Sequence, residues 1–140
     1  MPSGLREHLA ELVEEARRLS LTFDAPAHEP ILRRLIDPLP FAAFVANNEG
    51  LYVVTNRAAS RLTQYSPEEL QKMSVWDLTR PQTAPDADVL WRAFLQQRVQ
   101  TGDYELLLRD GTVARMRYAA HAHILPGLHL SLMEPETATA

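Results

Sequence analysis

Three histidines near the end of the chain are the residues with the clearest capacity for metal chemistry. His121 and His123 are separated by one residue in a segment typical of a β-strand, so their side chains should share a face of that strand. His129 follows on the next predicted strand, just beyond the Pro126–Gly127 turn. Three imidazoles that converge in this way could bind zinc or another borderline metal ion.

The same strand supports a simpler interpretation, in which the three histidines bind nothing. Its alternate positions form an apolar set: Met116, Tyr118, Ala120, Ala122 and Ile124. The histidines would then join Arg115 and Arg117 on the opposite face, beneath an N-terminal cap or at a dimer contact. The sequence also lacks an obvious carboxylate partner to orient the imidazoles of a metal site. We therefore predict no metal site, and keep His121, His123 and His129 as the candidate ligands for the alternative.

Catalytic groups have little support elsewhere in the sequence. Ser60, Ser66 and Ser74 fall at predicted helices, and no histidine and acid are spaced to activate any of them. Asp110 is explained by an Asp-Gly turn, and the sequence has no glycine-rich phosphate-binding loop. We therefore predict that the protein is not an enzyme. The alternative is a small cofactor-free α+β enzyme, isomerase-like or cyclase-like, that encloses an acid.

The composition is typical of a single domain with enough apolar residues to form a core. The chain has 140 residues, of which 46% are hydrophobic, and no apolar run approaches the roughly 20 residues of a membrane-spanning helix. Its formal charge of -4, with the basic residues scattered, argues against a nucleic-acid-binding surface. Its first residues lack the features of a secretory signal. These features predict a cytoplasmic protein that neither binds nucleic acid nor inserts into a membrane.

Two helices are predicted before the first strand. In the segment from Ser3 to Leu21, apolar residues recur at steps of three and four, and Ser3 is suited to cap the helix. The resulting apolar stripe consists of Leu5, Leu9, Leu12, Ala16 and Leu19. The stripe is too short to separate a coiled-coil seam from a helix that packs on its own domain. We expect a homodimer that uses this stripe, and a shorter second helix from Glu29 to Ile36.

The remaining chain alternates strands and helices. Turn sequences at 48–50 and at Asp110–Gly111 join consecutive apolar segments, which predicts two β-hairpins. Between them, a longer helix is expected to begin at Asp86 or Asp88, to run to about Val99 and to be terminated by Thr101–Gly102. Because tight hairpins join antiparallel strands, the fold class is α+β.

The second predicted strand, residues 51–55, is apolar on both of its alternating faces. Tyr52 and Val54 should point to one side of the sheet, and Leu51 and Val53 to the other. A sheet with one face in water would alternate apolar and polar residues instead. We therefore expect the N-terminal helices to cover the face that carries Leu51 and Val53.

The order of these turns and helix caps resembles that of a PAS domain. The segments that carry the resemblance are Leu39-Pro40, Asn48-Glu49-Gly50, Asn56, Ala58-Ala59, Tyr65 to Leu70, Trp76-Asp77-Leu78, Arg109 to Thr112 and Pro126-Gly127. Two positions depart from the family's usual pattern: Gln64, where glycine is frequent, and Glu49, where aspartate is usual. The resemblance implies a five-stranded antiparallel sheet with helices on one face, an N-terminal helical cap, and in many members an enclosed pocket.

The resemblance also divides the chain and implies a role. Residues 1–38 form a helical cap and dimerisation segment, residues 39–134 the PAS-like domain, and residues 135–140 a flexible tail. Family members are usually sensory or protein-interaction modules, so we expect a non-catalytic module for signal transduction. No output domain is expected in this chain, so it would act through a downstream signalling protein or belong to a longer sensor.

The composition restricts the cofactors that the resemblance would otherwise allow. A flavin–cysteinyl adduct and a thiol-linked chromophore each need a cysteine, and the chain has none. Haem-binding members that resemble oxygen sensors use a histidine on the long helix, where this chain has none, so haem is disfavoured. A metal- or haem-binding sensor is kept as a second alternative, and the identity of any cofactor is left open.

The pocket that the resemblance implies should be lined from the concave face of the sheet and the helices. The predicted lining residues are Phe44, Tyr52, Val54, Leu62, Trp76, Leu78, Phe94, Leu106, Met116 and Tyr118. Their polar groups are essentially the tyrosine hydroxyls, so we predict that any ligand is small, largely apolar and not covalently attached. For each residue the alternative is simple packing in a core, which is the usual fate of inward-facing apolar residues.

Overall fold

The protein is described by a computed structural model that covers residues 4–21, 28–79 and 87–136. The helices within these ranges are α1 (Leu5–Ser20), α2 (His28–Ile36), α3 (Arg57–Thr63), α4 (Pro67–Leu70) and α5 (Ala87–Gln97). The strands are β1 (Ala42–Ala46), β2 (Tyr52–Thr55), β3 (Val99–Leu107), β4 (Val113–Leu125) and β5 (Leu128–Pro135). None of these helices is long and apolar enough to cross a membrane.

The five strands form one antiparallel sheet in the order β2-β1-β5-β4-β3. The β1–β2 and β3–β4 hairpins lie at its two sides, and β5 joins them through the centre. This arrangement confirms the predicted α+β class and the five-stranded antiparallel sheet.

The helices α1 and α2 cover one face of the sheet, as predicted. Four residues of the apolar stripe of α1 are buried against this face: Leu5, Leu9, Leu12 and Ala16. They pack with Leu32 and Ile36 of α2 and with Val45 and Leu130 of the sheet. The fifth stripe residue, Leu19, is half-buried. Because most of the stripe is buried within one chain, little of its surface is available for contact with a second copy. The predicted cap Ser3 lies outside the described residues.

The other, concave face of the sheet is covered by α3, α4 and the segment that follows them. Ala59 and Leu70 pack there against Phe44, Leu106 and Met116 of the sheet. The Ser66 hydroxyl accepts a hydrogen bond from the Glu69 N–H (3.1 Å), and Glu69 accepts one from the Ser66 N–H (2.9 Å), so the predicted capping box is present. These helices confirm the expectation of a helical layer on this side.

Asn56 connects the helical cap to the sheet through four hydrogen bonds. Its Oδ1 accepts from the backbone N–H groups of Ala43 (3.0 Å) and Ala59 (2.9 Å). Its Nδ2 donates to the carbonyl oxygens of Ile36 (2.9 Å) and Phe41 (3.0 Å). The side chain is 1% exposed. One amide thus caps α3, as predicted, and also holds the end of α2 beside β1.

The helix α5 ends within two residues of its predicted end at about Val99, but the chain then continues directly into a strand. The helix stops at Gln97, Arg98 adopts a left-handed backbone (φ 75°), and β3 begins at Val99. The Arg98 carbonyl then accepts the Ala122 N–H at 2.6 Å, which starts the pairing with β4. Thr101–Gly102 therefore lies inside β3, because pairing with β4 outweighs the local turn signal.

A β-bulge corrects the predicted orientation of β2. Val45 pairs with Val54, whereas the next residue, Ala46, pairs with Tyr52, so Val53 is an extra residue. An extra residue breaks the alternation of side chains along a strand. As a result Tyr52 lies on the concave face, whereas Val54 packs beneath the helical cap and Leu51 is exposed instead of covered.

Candidate functional site

A cavity of about 490 Å³ lies between the concave face of the sheet and α5. Its walls are mostly aromatic and aliphatic, and they include Phe44, Ala46, Tyr52, Val75, Leu90, Trp91, Phe94, Tyr118, Ala120 and Met133. The polar groups around it include Thr79, Gln100, Tyr104, His129 and Ser131. The size and the mixture of groups are typical of a site for a small molecule.

Small side chains in the floor of the sheet leave the space open. Ser131 of β5 pairs with Phe44 on one side and with Ala120 on the other. Ala46 occupies the same face of β1. Larger residues at these three positions would project into the volume that the helices enclose, so the cavity depends on their size.

Two tyrosines that line the cavity differ in their hydrogen bonding. The Thr79 hydroxyl donates to the Val75 carbonyl oxygen (2.7 Å), so its oxygen can only accept from the Tyr104 hydroxyl, 2.7 Å away. Burial raises the pKa of the Tyr104 hydroxyl. The Tyr52 ring packs against Phe44, and burial raises the pKa of its hydroxyl well above the usual value. Both hydroxyls are therefore neutral over the physiological range.

An aromatic cluster, here called the aromatic end of the cavity, lies where α5 meets the sheet. The Trp91 ring lies 6.0 Å from the Trp76 ring, 5.5 Å from Phe94 and 5.7 Å from His129, measured between centroids. Phe94 in turn packs on Ala120 and Ala122 of β4. The cluster places α5 against the sheet through a few large rings.

His129 holds a fixed tautomer within this cluster. Its Nδ1 accepts the backbone N–H of His123 (2.8 Å), so that nitrogen carries no proton. The neutral ring must therefore carry its proton on Nε2, which donates to Asn48 Oδ1 at 2.8 Å. The indole N–H of Trp91 donates to the Asn48 carbonyl oxygen at 3.0 Å. These bonds connect β5, the β1–β2 turn and α5 at the edge of the cavity.

The buried state of His129 predicts a pH-dependent stability. Burial, and secondly the charge of His123, lower the pKa of His129 from 6.5 to about 4. As the pH falls, His129 is therefore protonated in the unfolded chain before it is protonated in the folded protein. Its contribution to the free energy of unfolding is fully present above about pH 6.5 and is lost as the pH falls toward 4. We expect a loss of about 1–2 kcal/mol between pH 7 and pH 5, after allowance for partial solvation of the ring. Urea unfolding at a series of pH values measures it.

Substitution of this histidine separates its contribution from the others. His129→Gln should flatten the dependence of the unfolding free energy on pH. Some slope should persist in His129→Gln, because burial, and the cations Arg17 and Arg98, lower the pKa of His121 as well. An identical slope in His129→Gln and the unaltered protein would contradict the assignment.

The predicted pocket residues divide into four groups. Phe44, Tyr52, Phe94 and Tyr118 line the cavity. Leu62, Leu78, Leu106 and Met116 belong to the hydrophobic core on the same face without lining this cavity. Trp76 packs at the aromatic end against Trp91. Val54 lies on the other face of the sheet because of the β2 bulge.

The sequence did not predict the polar side of the cavity. Thr79, Trp91, Gln100, His129 and Ser131 line it but were absent from the predicted set. One signal was present: Leu128, Leu130 and Leu132 alternate with His129 and Ser131, which places the latter two on the face opposite the cap.

Of the three candidate metal ligands, the structure brings together only His123 and His129, whose ring centroids are 4.4 Å apart, and His121 lies apart from them. His121 lies on the cap side of β4 near Arg17, whereas His129 lies at the cavity. The backbone of His123 is left-handed (φ 55°), and this bulge also moves Ile124 to the cap side, away from Ala122. Within the described residues, no group of three His, Cys, Asp or Glu is placed to hold a metal ion. The predicted position of His129 beside Arg115 and Arg117 is thereby corrected.

Comparison with protein families gives one match that covers most of the chain. The family model of the PAS fold matches residues 31–131. No curated protein matched the sequence.

Several solved structures have a similar fold. A domain of a sensory box sensor histidine kinase/response regulator from Geobacter sulfurreducens is 17% identical, with a TM-score of 0.65 over 81% of this chain and 98% of that one. A PAS domain from Colwellia psychrerythraea is 19% identical, with a TM-score of 0.65 over 76% and 94%. The LOV protein of Rhodobacter sphaeroides is 14% identical, with a TM-score of 0.65 over 78% and 66%. At these identities the similarity is one of fold.

Proposed function

The chain belongs to the PAS family, and from that premise we propose that it is a sensory module which binds a small, largely apolar molecule without covalent attachment. The family consists in general of sensory, non-catalytic modules of signalling proteins. The observation that carries the proposal is the cavity of about 490 Å³ with aromatic walls and a floor of small residues. A bound molecule would change the packing of α5 and the β1–β2 turn, and a downstream signalling protein would read that change.

The proposal predicts that a larger residue in the floor abolishes binding. Ser131→Leu adds a branched apolar side chain to the cavity floor, where it would occupy the volume meant for the ligand. We expect native mass spectrometry of the protein purified from cells to show a bound small molecule, and occupancy to fall at least tenfold in Ser131→Leu.

A matched substitution controls for the change of residue type. Thr101 is exposed on the edge strand β3 and pairs with Ala119, which faces the helical cap, so Thr101→Leu adds a leucine outside the cavity. Thr101→Leu should retain the bound molecule. A stoichiometric haem or flavin in the unaltered protein would contradict the apolar ligand. An unliganded mass would instead favour a module that only binds other proteins.

Dimerisation is the second part of the proposal. The cap buries most of the stripe of α1 within one chain, so we place the contact at the end of the helix, where Leu19 is half-buried and Leu21 is 89% exposed. We expect the full chain to sediment as a dimer at micromolar concentration and Leu21→Glu to sediment as a folded monomer. A monomeric unaltered chain would contradict this part and leave the cavity unaffected.

The alternative of a cofactor-free enzyme has a specific structural requirement. It needs an enclosed acid, and in the described part of the chain the carboxylates nearest the cavity are Asp103, Glu105 and Glu136, which are exposed. A turnover assay with the molecule found by mass spectrometry, repeated after substitution of each acid, tests this alternative.

A further inference from the structure

One row of residues across the floor of the cavity carries a polar side chain on each side of an alanine. Ser131 of β5 pairs with Ala120 of β4, and Ala120 pairs with Gln100 of β3, so the register places the three residues in one row of the sheet. All three line the cavity. Because neighbouring strands lie about 4.8 Å apart, the backbones of Ser131 and Gln100 are separated by roughly 10 Å.

The Ser131 hydroxyl is available from the cavity. The residues on either side of it along β5, Leu130 and Leu132, are buried beneath the helical cap, so Ser131 points to the concave face. Its side chain is half-buried and lines the cavity. A serine hydroxyl can donate one hydrogen bond and accept two, so this group can pair with either a donor or an acceptor of a ligand.

The Gln100 amide keeps one donor and one acceptor for a ligand. Its Nε2 donates to Gln97 Oε1 at 2.7 Å, and its Oε1 accepts a longer bond from the Tyr118 hydroxyl at 3.4 Å. A primary amide has two N–H groups and two lone pairs, so these bonds use half of its capacity. By contrast, both ring nitrogens of His129 are bonded within the protein.

The surface between and beside the two polar groups is apolar. Phe94 of α5 packs on Ala120, and Phe44 pairs with Ser131 at the end of the row. A molecule that rests on Ala120 therefore places its body against these rings and its edges toward Ser131 and Gln100. It displaces water from both polar groups, and each group that is then left without a hydrogen bond weakens binding.

We propose that the ligand is a neutral, planar, largely apolar molecule with one hydrogen-bonding group at each of two opposite edges, and that these groups bind Ser131 and Gln100. After allowance for the reach of two side chains and two hydrogen bonds, its polar atoms lie roughly 5–8 Å apart. A hydroxyl and an amide pair with neutral groups, and aromatic walls suit a planar body. The inference rests on the proposed function and specifies the polar groups of its ligand.

Two probes that differ by one hydroxyl test this contact: 2-naphthol and 2,6-dihydroxynaphthalene. The readout is the ratio of their dissociation constants, measured by calorimetric titration. The second hydroxyl should strengthen binding to the unaltered protein about fivefold or more, because it adds one hydrogen bond. In Ser131→Ala and in Gln100→Met the advantage should fall to about twofold or less, because one polar site remains and a symmetric diol can use it in two orientations.

Tyr52→Phe is the matched control. Tyr52 lines the cavity but pairs with Ala46, in the next row on the same face, so its loss removes a cavity hydroxyl outside the row and should keep the wild-type ratio. If both probes bind and Ser131→Ala and Gln100→Met keep the ratio, the two-point contact is wrong while the apolar cavity stands. If neither probe binds the unaltered protein, the inference fails, and the proposed function fails with it for aromatic ligands.

The position of the probe provides a check that does not depend on affinities. In protein with ¹³C-labelled alanine methyl groups, nuclear Overhauser contacts from 2,6-dihydroxynaphthalene should reach Ala120. They should not reach Ala59, which is buried in the core of the same face without lining the cavity. A bound probe without a contact to Ala120 would lie away from the row and would overturn the inference.

Discussion

Replacement of Asn56 by aspartate is expected to lower the free energy of unfolding by about 4 kcal/mol. The amide, on a side chain that is 1% exposed, donates to the carbonyl oxygens of Ile36 and Phe41. Aspartate has the same shape but places an oxygen where the amide nitrogen stood, so two acceptors would face it without a proton between them. Each buried group left without its partner costs about 1–3 kcal/mol. Urea unfolding followed by circular dichroism measures the loss.

Asn47→Asp is the matched control for this prediction. Its side chain uses only its oxygen, which accepts the N–H groups of Glu49 and Leu51, both at 3.0 Å. Aspartate can accept the same two bonds, so the change should be within about 1 kcal/mol. Equal losses in both variants would mean that the added charge destabilises the protein, and that the two donated bonds of Asn56 contribute little.

Local features of the fold could be predicted from the sequence because a few adjacent residues encode them. The Asn56 cap, the Ser66 capping box and the Asp110–Gly111 turn are all present where they were predicted. The bonds of Asn56 to Ile36, Phe41 and Ala43 were not predicted, because they join residues that only the folded sheet brings together. The role of Asn56 as an N-cap of α3 therefore did not reveal that the same side chain also connects α2 to the sheet.

The face of the sheet to which each strand residue points could be predicted only as far as the first β-bulge in that strand. The strand β4 follows its predicted alternation from Met116 to Ala122, and then His123 turns the backbone and moves Ile124 to the cap side. A bulge of one residue reverses every later assignment along the strand. The misplacement of Val54 on β2 has the same cause.

The cavity depends on a property that the sequence pattern does not contain. Phe44 and Tyr118 were predicted to line it because they are large apolar residues on the inward face of the sheet. The space itself exists because Ala120 and Ser131 are small. Whether small residues leave a void depends on which rings lie opposite them. Here α5 packs toward the sheet through Phe94 and Trp91, whose rings are 5.5 Å apart and both line the volume.

Replacement of Gly50 by alanine should have the second large effect, and should alter the site as well as the stability. A Cβ atom at this position would lie 2.1 Å from Cζ3 and 2.7 Å from Cη2 of Trp76, so the indole must move. The backbone is also left-handed (φ +79°), which costs an alanine about 1 kcal/mol. With about 2 kcal/mol for the displaced ring, we expect a total loss of about 3 kcal/mol.

The displaced indole should also change the cavity. Trp76 contacts Trp91, whose ring borders the cavity and whose N–H is bonded to Asn48. These are the 2 tryptophans of the chain, so intrinsic fluorescence reports on this cluster directly. We expect Gly50→Ala to shift the emission to longer wavelength, as the rings become more exposed to water, and to weaken binding of an apolar probe.

Gly111→Ala separates the strain of the backbone from the clash with Trp76. Gly111 has a similar left-handed backbone (φ +89°), but no atom lies within 4 Å of the Cβ that alanine would add. It should lose only about 1 kcal/mol and keep the wild-type emission spectrum. If the two alanine variants lose the same stability and fluoresce alike, Trp76 does not pack on Gly50 tightly enough to hold the aromatic end of the cavity. A larger loss with a shifted spectrum in Gly50→Ala alone would establish that this glycine keeps the indole in place by having no side chain.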